Sequence, residues 1–192
     1  MLSAGFRKVI AVGASTGGVD ALEQVLMRFP STCPPIVVVI HLQPGLARLL
    51  ATQLNEKLKL SVKEAAHGDI LASGQVFIAP SGKHMKIINQ AGRLVIELFS
   101  GAKVQHVIPS VDVLFESVAK EIGANSIGVI LTGIGADGAA GLKQMLIKGA
   151  KTIGQDEDTS VVYGMPKIAF EQGAVQHQLP IEKIGSKIQS FL

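Results

Sequence analysis

Three side chains of this sequence have the types needed for acyl transfer: Ser15, His41 and Asp137. Ser15 lies in Gly13-Ala14-Ser15-Thr16-Gly17-Gly18, between an apolar run at residues 9–12 and a helix-like segment at residues 19–27. The spacing satisfies Gly-x-Ser-x-Gly, the pattern of a nucleophile elbow, in which a sharp strand-to-helix turn exposes the hydroxyl. Small residues suit such a turn because the backbone bends tightly and a substrate approaches closely. His41 directly follows the run Ile36-Val37-Val38-Val39-Ile40, and Asp137 sits in the loop Thr132-Gly133-Ile134-Gly135-Ala136-Asp137-Gly138. A serine, a histidine and an aspartate at three strand ends can act as nucleophile, general base and orienter. Each also has a plainer reading. The Gly/Ser loop could cradle a phosphate, His41 could be a loop or capping histidine, and Asp137 could cap the helix that follows it. As a dinucleotide fingerprint the loop lacks the middle glycine, and His41 stands where the acidic ribose ligand belongs. No lysine follows the glycines as a P-loop requires.

The elements that would bring these residues together read as an α/β pattern. Residues 8–12 and 36–40 are short, β-branched runs of the kind that buried parallel strands need. Residues 45–58 carry Leu46, Leu49, Leu50, Leu54 and Leu58 at helical spacing. Residues 75–79, 85–89 and 93–99 read as shorter strands, the last two pairing as a hairpin. Pro109 is expected in the first turn of a helix that ends near Gly123. A strand at 127–131, a helix at 139–147, strands at 152–154 and 175–179, a helix at 166–171 and a terminal helix opened by Pro180 complete the chain. The expected architecture is a doubly wound, mostly parallel sheet with helices on both faces and a small antiparallel hairpin near the active-site edge. Ligands of such sheets bind outside the carboxyl ends of the strands, where the three candidates fall.

Composition narrows the function. The 192 residues suit a single α/β domain, and 47% apolar content suffices for a core. The one cysteine, Cys33, has no bridging partner, which fits a reducing, cytoplasmic setting. Residues 1–5 are too few and too mixed for a signal peptide, and no apolar run approaches the roughly 20 residues of a membrane span. A net charge of +3 without a basic block, and only 4% aromatics, argue against nucleic acid and suit an acidic protein partner. His67, His84, His106 and His177 show no metal-ligand spacing, and acyl transfer by a serine, a histidine and an aspartate requires no organic cofactor, so neither a metal nor a cofactor is expected. Asp112 and Glu116, one helical turn apart, read as a solvated face.

Six blocks in order make the chain resemble the catalytic domain of the CheB chemotaxis protein-glutamate methylesterases, over about residues 8–185. They are the Ser15 loop; His41 with Pro44; Ile78-Ala79-Pro80-Ser81-Gly82 with His84-Met85; Pro109 to Phe115; Gly128 to Gly141; and Val161 to Pro166. The resemblance implies hydrolysis of γ-glutamyl methyl esters on the cytoplasmic helices of methyl-accepting chemotaxis receptors, and deamidation of certain glutamines. The family's triad falls on Ser15, His41 and Asp137. Backbone N–H groups near Thr16, or at Ile134 and Gly135, are the candidate oxyanion donors. Where the family usually has basic residues before the Pro-Ser-Val-Asp block, this chain has Gln105-His106-Val107-Ile108. That difference keeps open a serine esterase of the same fold acting on another ester; a non-catalytic signalling module is the other alternative. The family's N-terminal receiver domain is not expected here. The sequence reads as one catalytic domain, either a stand-alone enzyme or the catalytic part of a longer one.

Overall fold

A computed structural model of the chain describes residues 8–192; the N-terminal residues considered above as a leader lie outside that range. Seven strands form one parallel sheet: β1 (Val9–Ala14), β2 (Ile36–Ile40), β3 (Ser61–Glu64), β4 (Gln75–Ile78), β7 (Ser126–Ile130), β8 (Lys151–Gln155) and β9 (His177–Leu179). Their order across the sheet is β3-β4-β2-β1-β7-β8-β9. β5 (His84–Gln90) and β6 (Arg93–Phe99) pair antiparallel as a separate hairpin, in register from His84 opposite Phe99 to Gln90 opposite Arg93.

The central strands are apolar throughout because both faces are covered. Ile10, Val12, Val38 and Ile40 face a core with residues of α1 (Gly18–Leu26), α2 (Leu46–Lys57) and α6 (Ile181–Gln189). Their alternates Val9, Ala11, Val37 and Val39 face a second core shared with α3 (Val111–Glu121), α4 (Ala139–Ile147), α5 (Met165–Glu171) and the hairpin. A strand buried on both sides loses the alternating polar pattern and reads as a continuous hydrophobic run.

Two expectations shift. The helix expected to start at Pro109 begins at Val111, because Ser110 adopts an extended conformation and its hydroxyl accepts the amide of Val113. A short 3-10 turn at Gly123–Asn125 follows its end. β3 has no counterpart among the expected strands. Ser-Val-Lys-Glu is an edge strand with Val62 alone pointing inward, so it carries almost no hydrophobic signal.

The chain turns one way from β1 to β2, and later returns to lay β7 on the other side of β1. This reversal of winding opens a crevice above the carboxyl end of β1, between the loops leaving β1 and β7.

Candidate active site

Ser15 leaves β1 at that crevice. Its amide donates to the carbonyl of Thr132 (3.0 Å), two residues beyond the last β1–β7 pair, and its carbonyl accepts the amide of Gly18 (2.8 Å). The turn passes through Gly17, whose φ of 78° lies in the left-handed region that glycine adopts without a Cβ penalty. Gly133 lies so close that a Cβ there would stand 2.6 Å from the Ser15 Cβ. The absence of a side chain at 133 is what lets the β7 loop pass the serine.

His41 leaves β2 at the same level, its amide donating to the carbonyl of Ala14 (3.1 Å). Its Nε2 lies 2.8 Å from Oδ2 of Asp137. With the carboxylate on Nε2, that nitrogen carries the proton, and Nδ1 is left as the basic nitrogen. The imidazole remains partly open, its side chain 14% exposed, whereas that of Asp137 is 3% exposed. Among the described residues, the Ser15 hydroxyl forms no hydrogen bond with His41. Serine–histidine contacts are commonly loose before substrate binds.

Asp137 does not cap the helix that follows it; Gly138 occupies that position without a side-chain bond. Instead its carboxylate sits on the N-terminus of α3. Oδ1 accepts the Ser110 hydroxyl (2.7 Å) and the amide of Asp112 (3.0 Å), while Oδ2 accepts the amide of Val111 (2.7 Å) besides His41. Burial pushes the Asp137 carboxyl up, but His41, Ser110 and the two amides outweigh it and hold the group below the ordinary aspartate range. The aspartate is therefore ionised and fixed in orientation, as an orienter of an imidazole must be.

Asp112 corrects the expectation of a solvated face: it is 3% exposed, and its Oδ1 accepts the amide of Gly141 (2.7 Å). Burial raises its pKa to about 6, with the nearby charges of Asp137 and Glu116 adding to the effect. His84 is also buried. Its Nδ1 accepts the amide of Ser110 (3.2 Å), and its Nε2 donates to the carbonyl of Ala102 (2.9 Å). Ile134 and Gly135 are exposed on the loop beyond Gly133, and Thr16 is exposed beside Ser15. Residue-by-residue reading missed Ser110, Thr132 and Gln155, which hold this rim together from beneath. The first two lie inside recognised blocks, but nothing in the sequence assigns them a contact. Among the described residues, no cluster of three or more His, Cys, Asp or Glu is arranged to hold a metal ion. Among the same residues, no helix is long and apolar enough to cross a membrane.

Together these features define an α/β protein with a serine, a histidine and an anchored carboxylate gathered on the carboxyl rim of a parallel sheet. The chain belongs to the CheB methylesterase family, whose profile matches residues 10–188. A protein-glutamate methylesterase/protein-glutamine glutaminase of Agrobacterium fabrum is 49% identical over 183 residues, covering 95% of this chain and 52% of the relative. One from Sulfurimonas denitrificans is 47% identical over 185 residues, covering 96% and 53%. The crystal structure of the Thermotoga maritima CheB methylesterase catalytic domain superposes with a TM-score of 0.95 at 36% identity, covering 97% of this chain and all of that one. The chain spans about half the length of the curated relatives it matches.

Proposed function

We propose that this chain is a serine-dependent protein-glutamate methylesterase that works in the cytoplasm on the methylated helices of chemotaxis receptors. One observation carries the reading. The Asp137 carboxylate, ionised on the α3 N-terminus, holds Nε2 of His41 at 2.8 Å on the rim where Ser15 leaves β1. The substrate class comes from the names of the relatives.

Ser15 Oγ attacks the carbonyl carbon of the γ-glutamyl methyl ester while Nδ1 of His41 takes its proton. The carbonyl π electrons move onto oxygen, and the amides near Thr16, or those of Ile134 and Gly135, receive the oxyanion. Collapse breaks the ester C–O bond, and His41 returns the proton to the departing methoxide, giving methanol and a glutamyl-serine ester. Water then attacks that ester with His41 again as base, releasing the receptor carboxylate and restoring the serine. A primary amide in the same position would release ammonia, which is the deamidation step. Asp137 stabilises the imidazolium formed in each half-reaction.

Methanol release from a methylated chemoreceptor, wild type against Ser15→Ala, tests the assignment. The variant is expected to remain folded and to lose turnover. Equal methanol release by the two proteins refutes it.

A further inference from the structure

Thr132, the first residue of the β7 loop beyond Leu131, is bonded on every polar atom it has. Its carbonyl accepts the Ser15 amide (3.0 Å), and its own amide donates to Oε1 of Gln155 (2.8 Å). Its hydroxyl accepts the Val162 amide (2.9 Å). The single hydroxyl proton has two carbonyls in reach, Thr16 at 2.9 Å and Val162 at 3.3 Å, and the nearer one takes it. The methyl group faces Gly17, where a Cβ would stand 3.2 Å from it. Thr132 and Gln155 are each 1% exposed, and Gln155 is itself satisfied, its Nε2 donating to the carbonyl of Thr159 (2.8 Å).

The two peptide groups that follow Ser15 are held by different means. In a trans peptide the C=O and N–H point in opposite directions, so fixing one fixes the other. The Ser15 carbonyl is held locally, by the Gly18 amide, and this aims the Thr16 N–H. The Thr16 carbonyl is held from another loop, by the Thr132 hydroxyl, and this aims the Gly17 N–H. Neither of these N–H groups takes a hydrogen-bond partner among the described residues. The Thr16–Gly17 unit is also the one most able to turn over, because glycine accepts either sign of φ. A turned unit would direct the Thr16 carbonyl, rather than the Gly17 amide, at the position of a developing oxyanion.

We propose that Thr132 is a positioning residue of the esterase reaction, its hydroxyl locking the Thr16–Gly17 peptide so that the amide edge after Ser15 stays turned toward the oxyanion. The assignment rests on the esterase reading above. It differs from a general packing role because it concerns the orientation of one peptide group, and that role strengthens as charge develops on the substrate oxygen.

The test compares wild type, Thr132→Val, Thr132→Ser and Ser15→Ala on a methylated receptor. It adds the affinity of each for a trifluoromethyl ketone that Ser15 attacks to form an oxyanion. In Thr132→Val, kcat is expected to fall roughly 10–100-fold, short of the 10²–10³ typical of losing a donor outright. KM should stay within about twofold, and the ketone affinity should fall in step with kcat/KM. Thr132→Ser keeps the hydroxyl and should restore kcat to within about threefold of wild type. Wild-type kcat in Thr132→Val overturns the assignment. So does a serine variant as slow as the valine one, or a slow valine variant whose ketone affinity is unchanged. If Thr132→Val does not fold, Thr132→Cys, which has only a weak donor, takes its place under the same criteria. Methanol release by Ser15→Ala at the wild-type rate would instead remove the esterase reading itself, whatever Thr132 does.

Discussion

Four donors converge on the two oxygens of Asp137, and three of them belong to residues 110–112 rather than to His41. Charge-assisted bonds of this kind are stronger than neutral ones, and the helix N-terminus adds its own positive end. Asp137→Asn keeps the shape but replaces one acceptor oxygen with an NH₂ that opposes a neighbouring donor. Under the triad reading, methyl-ester turnover should fall by about 10³–10⁴ with KM little changed, the size seen when an orienting carboxylate is neutralised. Stability should fall as well, with a defined pH dependence. A carboxyl held below its ordinary value of 3.8 stabilises the fold above that value, and the contribution is lost as pH drops through the folded pKa. Urea midpoints should therefore show a full gap between wild type and Asp137→Asn at neutral pH, and a closing gap below 3.8. A constant gap across that range would mean that the charge of Asp137 is not what holds the α3 terminus.

Helix α3 shows which parts of an element a sequence reveals. Its apolar face, Val111, Leu114, Phe115, Val118 and Ile122, is legible from spacing; the first four are fully buried, and Ile122, at the C-cap, is half-buried. The burial of Asp112 is not legible, because it depends on a contact with Gly141, 29 residues further along the chain. α4 approaches so closely that a Cβ on Gly141 would lie 2.7 Å from the Phe115 Cβ and 2.9 Å from the Asp112 carbonyl oxygen. That approach delivers the Gly141 amide to the Asp112 carboxyl and excludes water from it. The small residues Gly138-Ala139-Ala140-Gly141 are the available signal, but they do not name the partner helix. The consequence for stability is opposite in sign to that of Asp137. Folded Asp112 keeps its proton up to about 6, whereas the unfolded chain releases it near 3.8. Within that window the folded state holds more protons, so this group's contribution falls as pH rises. Asp112→Asn keeps an oxygen for the Gly141 amide and has no proton to lose. Its stability relative to wild type should rise between 3.8 and about 6 and then level off. Denaturant midpoints measured across the window check this; a flat difference would show that Asp112 titrates as an exposed aspartate does.

At the scale of the whole molecule, the parallel strands are legible because burial on both faces leaves an unmistakable apolar run. The order of those strands is not, since nothing within residues 75–78 says that they lie between β3 and β2. The placement of the hairpin is equally hidden, because it is set by contacts distant in the chain. β5 and β6 stand outside the main sheet, and a few polar ties join them to the rest. The Ile87 amide donates to the Ser117 hydroxyl (2.9 Å), the Ile96 amide donates to the Asp69 carbonyl (2.8 Å), and His84 links Ser110 to Ala102. Of these, the His84 tie alone reaches the α3 terminus that carries Asp137. His84→Leu retains apolar volume but strands the buried Ser110 amide, at a cost of about 1–3 kcal/mol, while the carbonyl of the exposed Ala102 turns to water. The loss is expected to be local before it is global: amide hydrogens of residues 84–99 should exchange faster by sub-global opening, while those of β1 and β7 change only as overall stability does. Turnover should drop modestly alongside, because Ser110 also donates to Asp137. Hairpin amides as slow to exchange as in wild type would show that burial of Met85, Ile87 and Ile96 in the core shared with α3 holds the hairpin without the histidine, and that the site is insulated from it.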